Sequence, residues 1–182
     1  MDLKYLYPIE LAAMAALSLA AVAFLLTTTQ SNIAVREKLP RAHRIGAVIA
    51  IIDFILLIPH LDPVLPLFLA RYKYFLVAAA AFISIGFLDY LFSRAMSGLL
   101  ILLSYLLIHE AFAHPHAVNI FLHTASYISG ITGILFAAKP SWLRDFIRLA
   151  AKHKSVRLPA AGYLALQGIF TAVTAVYFFI KL

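Results

Sequence analysis

Apolar residues in this chain fall into runs of helical length separated by short polar breaks, and the runs are too uniformly apolar to be the one-sided stripes of a soluble bundle. A hydrocarbon core of about 30 Å takes about 20 apolar residues in a helix. The pattern predicts six such segments: Ile9 to Thr29, Ile45 to Ile58, Tyr72 to Phe92, Gly98 to Ala113, Ala117 to Ala138 and Ala160 to Ile180. The expected fold is therefore all-α, a polytopic integral membrane protein with six transmembrane helices, in a single domain over 1–182. The second helix is short and runs into Pro59, Pro63 and Pro66, each of which removes a backbone donor and obstructs the preceding turn, so it is expected to break into an interfacial or re-entrant loop. The first segment has no basic leader and is followed by Arg36, Lys38, Arg41 and Arg44, so it reads as a retained span rather than a signal peptide.

One segment departs from this uniformity. After Pro140, Ser141 reads as an N-cap for a helix in which Trp142, Phe146 and Leu149 share one face and Arg144, Arg148 and Lys152 another, the pattern of an amphipathic helix lying on the cytoplasmic leaflet as an anchor. Small residues recur at packing intervals, as Ala12, Ala16 and Ala20, Ser126 with Gly130, Ser129 with Gly133, and Gly168 with Ala172. They predict close helix contacts, within the chain or with another membrane subunit.

Composition sharpens the class. Charged residues are 13% of the chain against roughly a quarter in soluble domains, and the mean hydropathy is +0.94. Cysteine is absent, which excludes disulfides, thiolate-bound zinc and iron–sulfur clusters, so any metal must take nitrogen and oxygen ligands. The net charge of +7 does not point to nucleic acid, because the basic residues fall between apolar segments and act as topology signals. With six spans, the face bearing both termini holds Lys4, Arg71, Lys73 and Lys181, and the other face holds the remaining 11 of the 15 lysines and arginines (15 − 4). The positive-inside rule then places the termini outside the cytoplasm.

Candidate chemistry concentrates on that same outer side. Residues 109–123 bring together His109, Glu110, His114, His116 and His123 at a turn, and the proline-rich loop adds His60 and Asp62. Ionisable groups at membrane depth usually have a partner or a function. Imidazoles with carboxylates suit zinc, copper or iron in ligand type. His116 and His123 lie seven residues apart, roughly 10 Å along a helix, so they cannot ligate one ion together. Glu110, His114 and His116 form the shallow option, completed by His60 or Asp62. His109 with His123 forms a deeper one, suited to a bare metal more than to haem b. The competing reading of the whole cluster is interfacial histidines bonded to headgroups, water and backbone. His109-Glu110 lacks the second histidine of the zinc-protease motif at the required spacing, position 113 being alanine, and that reading is rejected.

Two aspartates belong to the spans themselves. Asp53 lies near the middle of the second and Asp89 near the inner end of the third, within expected reach of Arg94. Asp53 reads either as part of a proton or cation pathway or as the partner of a hydroxyl on a neighbouring helix. An intramembrane aspartyl protease is rejected because Gly86-Phe-Leu-Asp89 lacks the second glycine and the carboxyls differ in depth by roughly 6 Å. Glu10 is placed near the metal region or in the headgroups, and Tyr5, Tyr7, Tyr72, Tyr74 and Trp142 in interfacial belts.

Three functional expectations follow. The first is a transition-metal protein, either handling the metal or serving as a subunit of a membrane redox complex. The second is a substrate-binding subunit of a transporter. Six spans, 182 residues and the alanine-rich first helix with Ala12, Ala16 and Ala20 resemble in outline the membrane-embedded substrate subunits of energy-coupling-factor importers, which however keep their termini inside. The third is a non-catalytic scaffold subunit or homo-oligomer whose small-residue faces dock partners in the bilayer.

Overall fold

Long apolar runs become long helices, as backbone polar groups in hydrocarbon demand. The computed structural model describes residues 6–61, 65–113 and 120–181, and every regular element among them is helical. In chain order these are α1 (Leu6–Leu26), α2 (Ile33–Arg36), α3 (His43–Leu57), α4 (Leu67–Ala70), α5 (Lys73–Phe87), α6 (Leu91–Ala113), α7 (Ile120–Ala138), α8 (Ser141–Lys152) and α9 (Lys154–Lys181), with 3-10 turns at Leu39–Arg41 and Ile58–His60. Four of them are long and apolar enough to cross a membrane, over Tyr7–Leu26, Leu91–His109, Ile120–Ala138 and Lys154–Lys181. The helices α3 and α5 are apolar too but have 15 residues each.

Beside a leucine-rich core, the helix contacts bury hydroxylated and amide side chains while large aromatic and aliphatic ones face outward. Buried positions include Ser18, Ser97, Ser104, Ser126, Gln167 and Thr171, while Phe82, Phe87 and Ile180 are 76%, 80% and 80% exposed. Large apolar side chains on the perimeter and small or hydroxylated ones between helices are the arrangement a lipid surround favours.

The first and last long helices pack side by side. Tyr7 meets the ring of Phe178 edge-on, Gly168 lies under Leu19 and Ser18, and Leu25 shares a cluster with Ala161, so α1 and α9 run antiparallel. On the other side of the bundle, Gly133 faces the Ser97 carbonyl and Ile101, and Gly130 faces Ser104, which makes α7 antiparallel to α6. Gly46 abuts the backbone of Leu91 and Phe92, and Asp53 abuts Gly98, which makes α3 parallel to α6. The main core, including Leu11, Met14, Leu99, Leu103, Leu107 and Leu122, fills the space among α1, α6, α7 and α9.

Several expected positions shift. The third and fourth segments were placed at Tyr72–Phe92 and Gly98–Ala113, whereas α5 ends at Phe87 and α6 begins at Leu91. The turn is made at Tyr90, whose φ of 57° is left-handed. That conformation costs about 1–2 kcal/mol for a residue with a Cβ. Arg41 holds it, donating to the Tyr90 hydroxyl at 2.6 Å and stacking 4.8 Å from the ring centroid. Ser141 is the first helical residue of α8 and makes no side-chain cap, the cap position being Pro140. Tyr7, expected in the interfacial belts, and Glu10, expected near the metal region or in the headgroups, are each 4% exposed, Tyr7 packing into the core against Phe178 of α9. Tyr5 lies outside the described residues. Ala12, Ala16 and Ala20 point outward instead of lining the α1–α9 contact, which uses Leu11, Met14, Ala15 and Ser18.

Candidate functional site: an aspartate-centred cavity

Helices α3, α5 and α6 line a half-open cavity of about 550 Å³. Its wall is mostly apolar, from Phe54, Leu57, Leu88, Ile101 and Leu102, and its polar groups are few: Asp53, Ser84, His60, Tyr105 and Arg94. The parallel run of α3 along α6 fixes their order. Arg94 and Tyr105 are eleven residues apart on α6, which separates the two ends by about 16 Å. Asp53 lies between them, facing Gly98.

Gly98 opens the room for that carboxyl. A Cβ at position 98 would lie 3.2 Å from Oδ2 of Asp53. The other oxygen, Oδ1, is buried and makes no hydrogen bond among the described residues. An isolated carboxylate in hydrocarbon is costly unless a proton or a cation neutralises it. Arg94 opens onto the same cavity but forms no ion pair with Asp53 among the described residues. Neither does Arg94 pair with Asp89, which stands exposed in the connection ahead of α6 rather than inside a span. The hydroxyl partner expected for Asp53 is likewise missing among the described residues.

At the Tyr105 end of the cavity, the Ile58–His60 turn carries the His60 ring onto Tyr105, edge-on at 6.1 Å between centroids, and His109 packs one turn further along α6 at 5.9 Å from the same Tyr105 ring. His123 packs instead on Phe112 at 5.4 Å. Of the expected metal ligands, Asp62, His114 and His116 lie outside the described residues, as does the side chain of Glu110. Among the described residues no three His, Asp or Glu side chains are grouped to hold a metal ion. The structure therefore brings two of the predicted histidines to one aromatic ring and leaves His123 on another.

The residues the sequence did not single out are Gly98, Ser84 and Tyr105. They come from helices distant in the chain, and a glycine or tyrosine in an apolar run has no mark of its own. Asp53, an acid in mid-span, signalled the site, and of its other polar groups the sequence marked His60 as a metal ligand and Arg94 as a partner of Asp89 rather than as neighbours of Asp53. No known protein family, curated protein or solved structure matches the chain.

Proposed function

We propose that the protein is a membrane-embedded binding subunit for a small, mostly apolar solute bearing a positive charge or strong hydrogen-bond donor, which Asp53 receives in the cavity among α3, α5 and α6. The observation that carries this reading is the buried Oδ1 of Asp53, unpartnered among the described residues in a cavity of about 550 Å³. Ligand sites are largely apolar pockets of about 300–1,000 Å³ with a few convergent polar groups. An intramembrane acid supplies the one interaction that an apolar wall lacks, and exchange of its proton for a cationic guest is the chemistry a coupled transporter needs.

In this reading α3 and α5 also cross the bilayer, giving six spans with the termini outside the cytoplasm of the cell membrane. The helix α8 lies along the inner leaflet with Arg144, Arg148 and Lys152 toward the headgroups. A dansylated alkylamine tests the site. Wild-type protein in lipid nanodiscs is expected to enhance its fluorescence saturably, and Asp53→Asn to weaken binding about 10–100-fold, the range for losing a hydrogen bond to a charged group. Gly98→Leu, which fills the space beside Oδ2, is expected to abolish it. Equal binding by all three proteins sinks the proposal.

A second reading rests on the convergence of His60 and His109 on Tyr105. It takes these histidines as nitrogen ligands of a zinc, copper or iron ion at the outer mouth of the cavity. Elemental analysis of purified protein decides it: near-stoichiometric metal, lost in His60→Ala with His109→Ala, supports the ion, and metal-free wild type removes it.

A further inference from the structure

The opposite end of the bundle carries a second cavity, of about 770 Å³ and open to the surroundings, walled by Phe24, Val35 and Leu39 and by the cations Arg36, Lys38 and Arg41. Its position follows from how α1 ends. Thr27 and Thr28 turn their hydroxyls back onto the last carbonyls of the helix, and Arg36 reaches across to donate to the Phe24 carbonyl at 2.5 Å and to Thr28 Oγ1 at 2.8 Å. A guanidinium suits the negative end of a helix dipole. It also lies 4.7 Å from the centroid of the Phe24 ring. Arg36 is thereby the structural floor of the cavity, joined at the same helix end by Arg157, which donates to the Thr28 carbonyl.

The two cations above that floor are placed differently. Arg41 is exposed and pre-oriented by Tyr90, which takes one of its five N–H groups and leaves the others without a hydrogen bond among the described residues. Lys38 is exposed, and its ammonium group makes no hydrogen bond among the described residues. Among the described residues no carboxylate lines the cavity. The nearest in sequence, Glu37, accepts a hydrogen bond from Arg148 of α8 at 2.6 Å, and that bond, with weaker pulls from Arg144 and Lys38, holds its carboxyl below the ordinary glutamate range. Beside these charges, Val35 of the four-residue α2 is 74% exposed, an apolar side chain that lines the same cavity as Phe24 near the end of α1, a helix long enough to span a bilayer. Charge above and hydrocarbon beside it, at the depth where α1 leaves the apolar layer, is the profile of a molecule with an anionic head and an acyl body.

We propose that Lys38 and Arg41, set on the Arg36 floor and beside Phe24, Val35 and Leu39, bind the phosphate headgroup of an anionic phospholipid. The same cations would attract free phosphate, but that ion makes no use of the apolar wall, and the assignment is to the lipid. The site is independent of the Asp53 cavity, and neither proposal depends on the other.

Native mass spectrometry of the detergent-purified protein, titrated with phosphatidylglycerol or with phosphatidylcholine of the same acyl chains, tests it. Wild type is expected to retain one phosphatidylglycerol about tenfold more tightly than phosphatidylcholine. Lys38→Gln alone is expected to weaken retention roughly fivefold, the effect of one basic residue at a lipid surface. Lys38→Gln with Arg41→Gln is expected to remove the preference, and the single Lys38 variant guards against misfolding through the lost Tyr90 contact. Arg44→Gln removes the same charge from the same end at an exposed position outside the cavity and is expected to change nothing. An equal loss with Arg44→Gln would mean a diffuse field rather than a site and overturns the proposal, as does retention that Lys38→Gln leaves unaltered. Displacement of the lipid by inorganic phosphate at matching concentration overturns the lipid assignment in favour of the free ion.

Discussion

At the scale of single residues, glycine decides how closely helices approach. A Cβ on Gly46 would lie 2.5 Å from the Phe92 amide nitrogen and 2.8 Å from the Leu91 carbonyl carbon, both backbone atoms that no rotamer change can move. Gly46→Ala must therefore push α3 off the start of α6, at the overpacking cost of about 1–3 kcal/mol. Gly86 is the control, since a Cβ there meets nothing within 4 Å. Gly86→Ala is expected to leave stability unchanged or to raise it by up to about 1 kcal/mol through helix propensity. Unfolding in mixed detergent separates the two, and a Gly46→Ala protein as stable as Gly86→Ala would contradict the close approach. Because α3 carries Asp53, the Gly46 variant is also expected to weaken occupancy of the Asp53 cavity.

Elements were legible where a single physical signal dominated, and illegible where distant contacts set the boundary. The runs that became α1, α7 and α9 were long, apolar and bounded by charge, and the prolines after α3 ended it as expected. The α5–α6 boundary was misplaced because Phe87, Leu88, Leu91 and Phe92 continue the apolar run through the turn, and Tyr90 occupies a conformation that sequence reading assigns to glycine. Its stabiliser, Arg41, lies 49 residues earlier. The same limit hid the burial of Tyr7 against the last helix and the approach of Asp53 to Gly98. Helix α8 shows both sides of this rule. Its apolar positions were visible, but its seat is made by Leu25 of α1 and Ala161 of α9 against Ala150, with Ile147 only 2% exposed. Its other tie is Glu37 to Arg148. Glu37 has a folded-state pKa lowered by Arg148, so this contribution is present above the unfolded glutamate pKa and is lost as pH falls through the lower folded value. Exposed ion pairs contribute little, whereas truncating a buried isoleucine to alanine costs about 2–5 kcal/mol. Trp142, the only tryptophan in the chain, sits on α8 and reports its seating. Its emission is expected to shift markedly in Ile147→Ala and only slightly in Glu37→Gln or on acidification from neutral pH to below the glutamate range. A large shift in Glu37→Gln would place the seating energy in the ion pair instead.

At the scale of the whole molecule, the difference between four and six crossings lies in α3 and α5 alone, and either count is even and leaves the termini on one side. Fifteen helical residues reach about 22 Å, short of a hydrocarbon core of about 30 Å. Two features extend them. The Ile58–His60 turn continues α3, and α5 begins at Lys73 beside Arg71 and Tyr72, side chains that reach to an interface while their stems stay in the apolar layer. A re-entrant hairpin would instead hold Arg71 and Lys73 at membrane depth, where each charge costs about 2.5–3.5 kcal/mol by the mildest scale. That energetic difference favours crossing. The absence of cysteine makes the test free of background. Single cysteines at Arg71, Ser31 and Lys152, all exposed positions, can be probed in intact cells with a membrane-impermeant maleimide. Six crossings predict that Arg71→Cys labels from outside, and that Ser31→Cys and Lys152→Cys label only after permeabilisation. Labelling of Arg71→Cys only after permeabilisation, or not at all, would turn α3 and α5 into a hairpin entered from the basic side. The His60 end of the Asp53 cavity would then lose its route to the outer face. The cavity could take a solute only from the lipid or from the cytoplasm, and a solute-capture role for the outer face would fall with it.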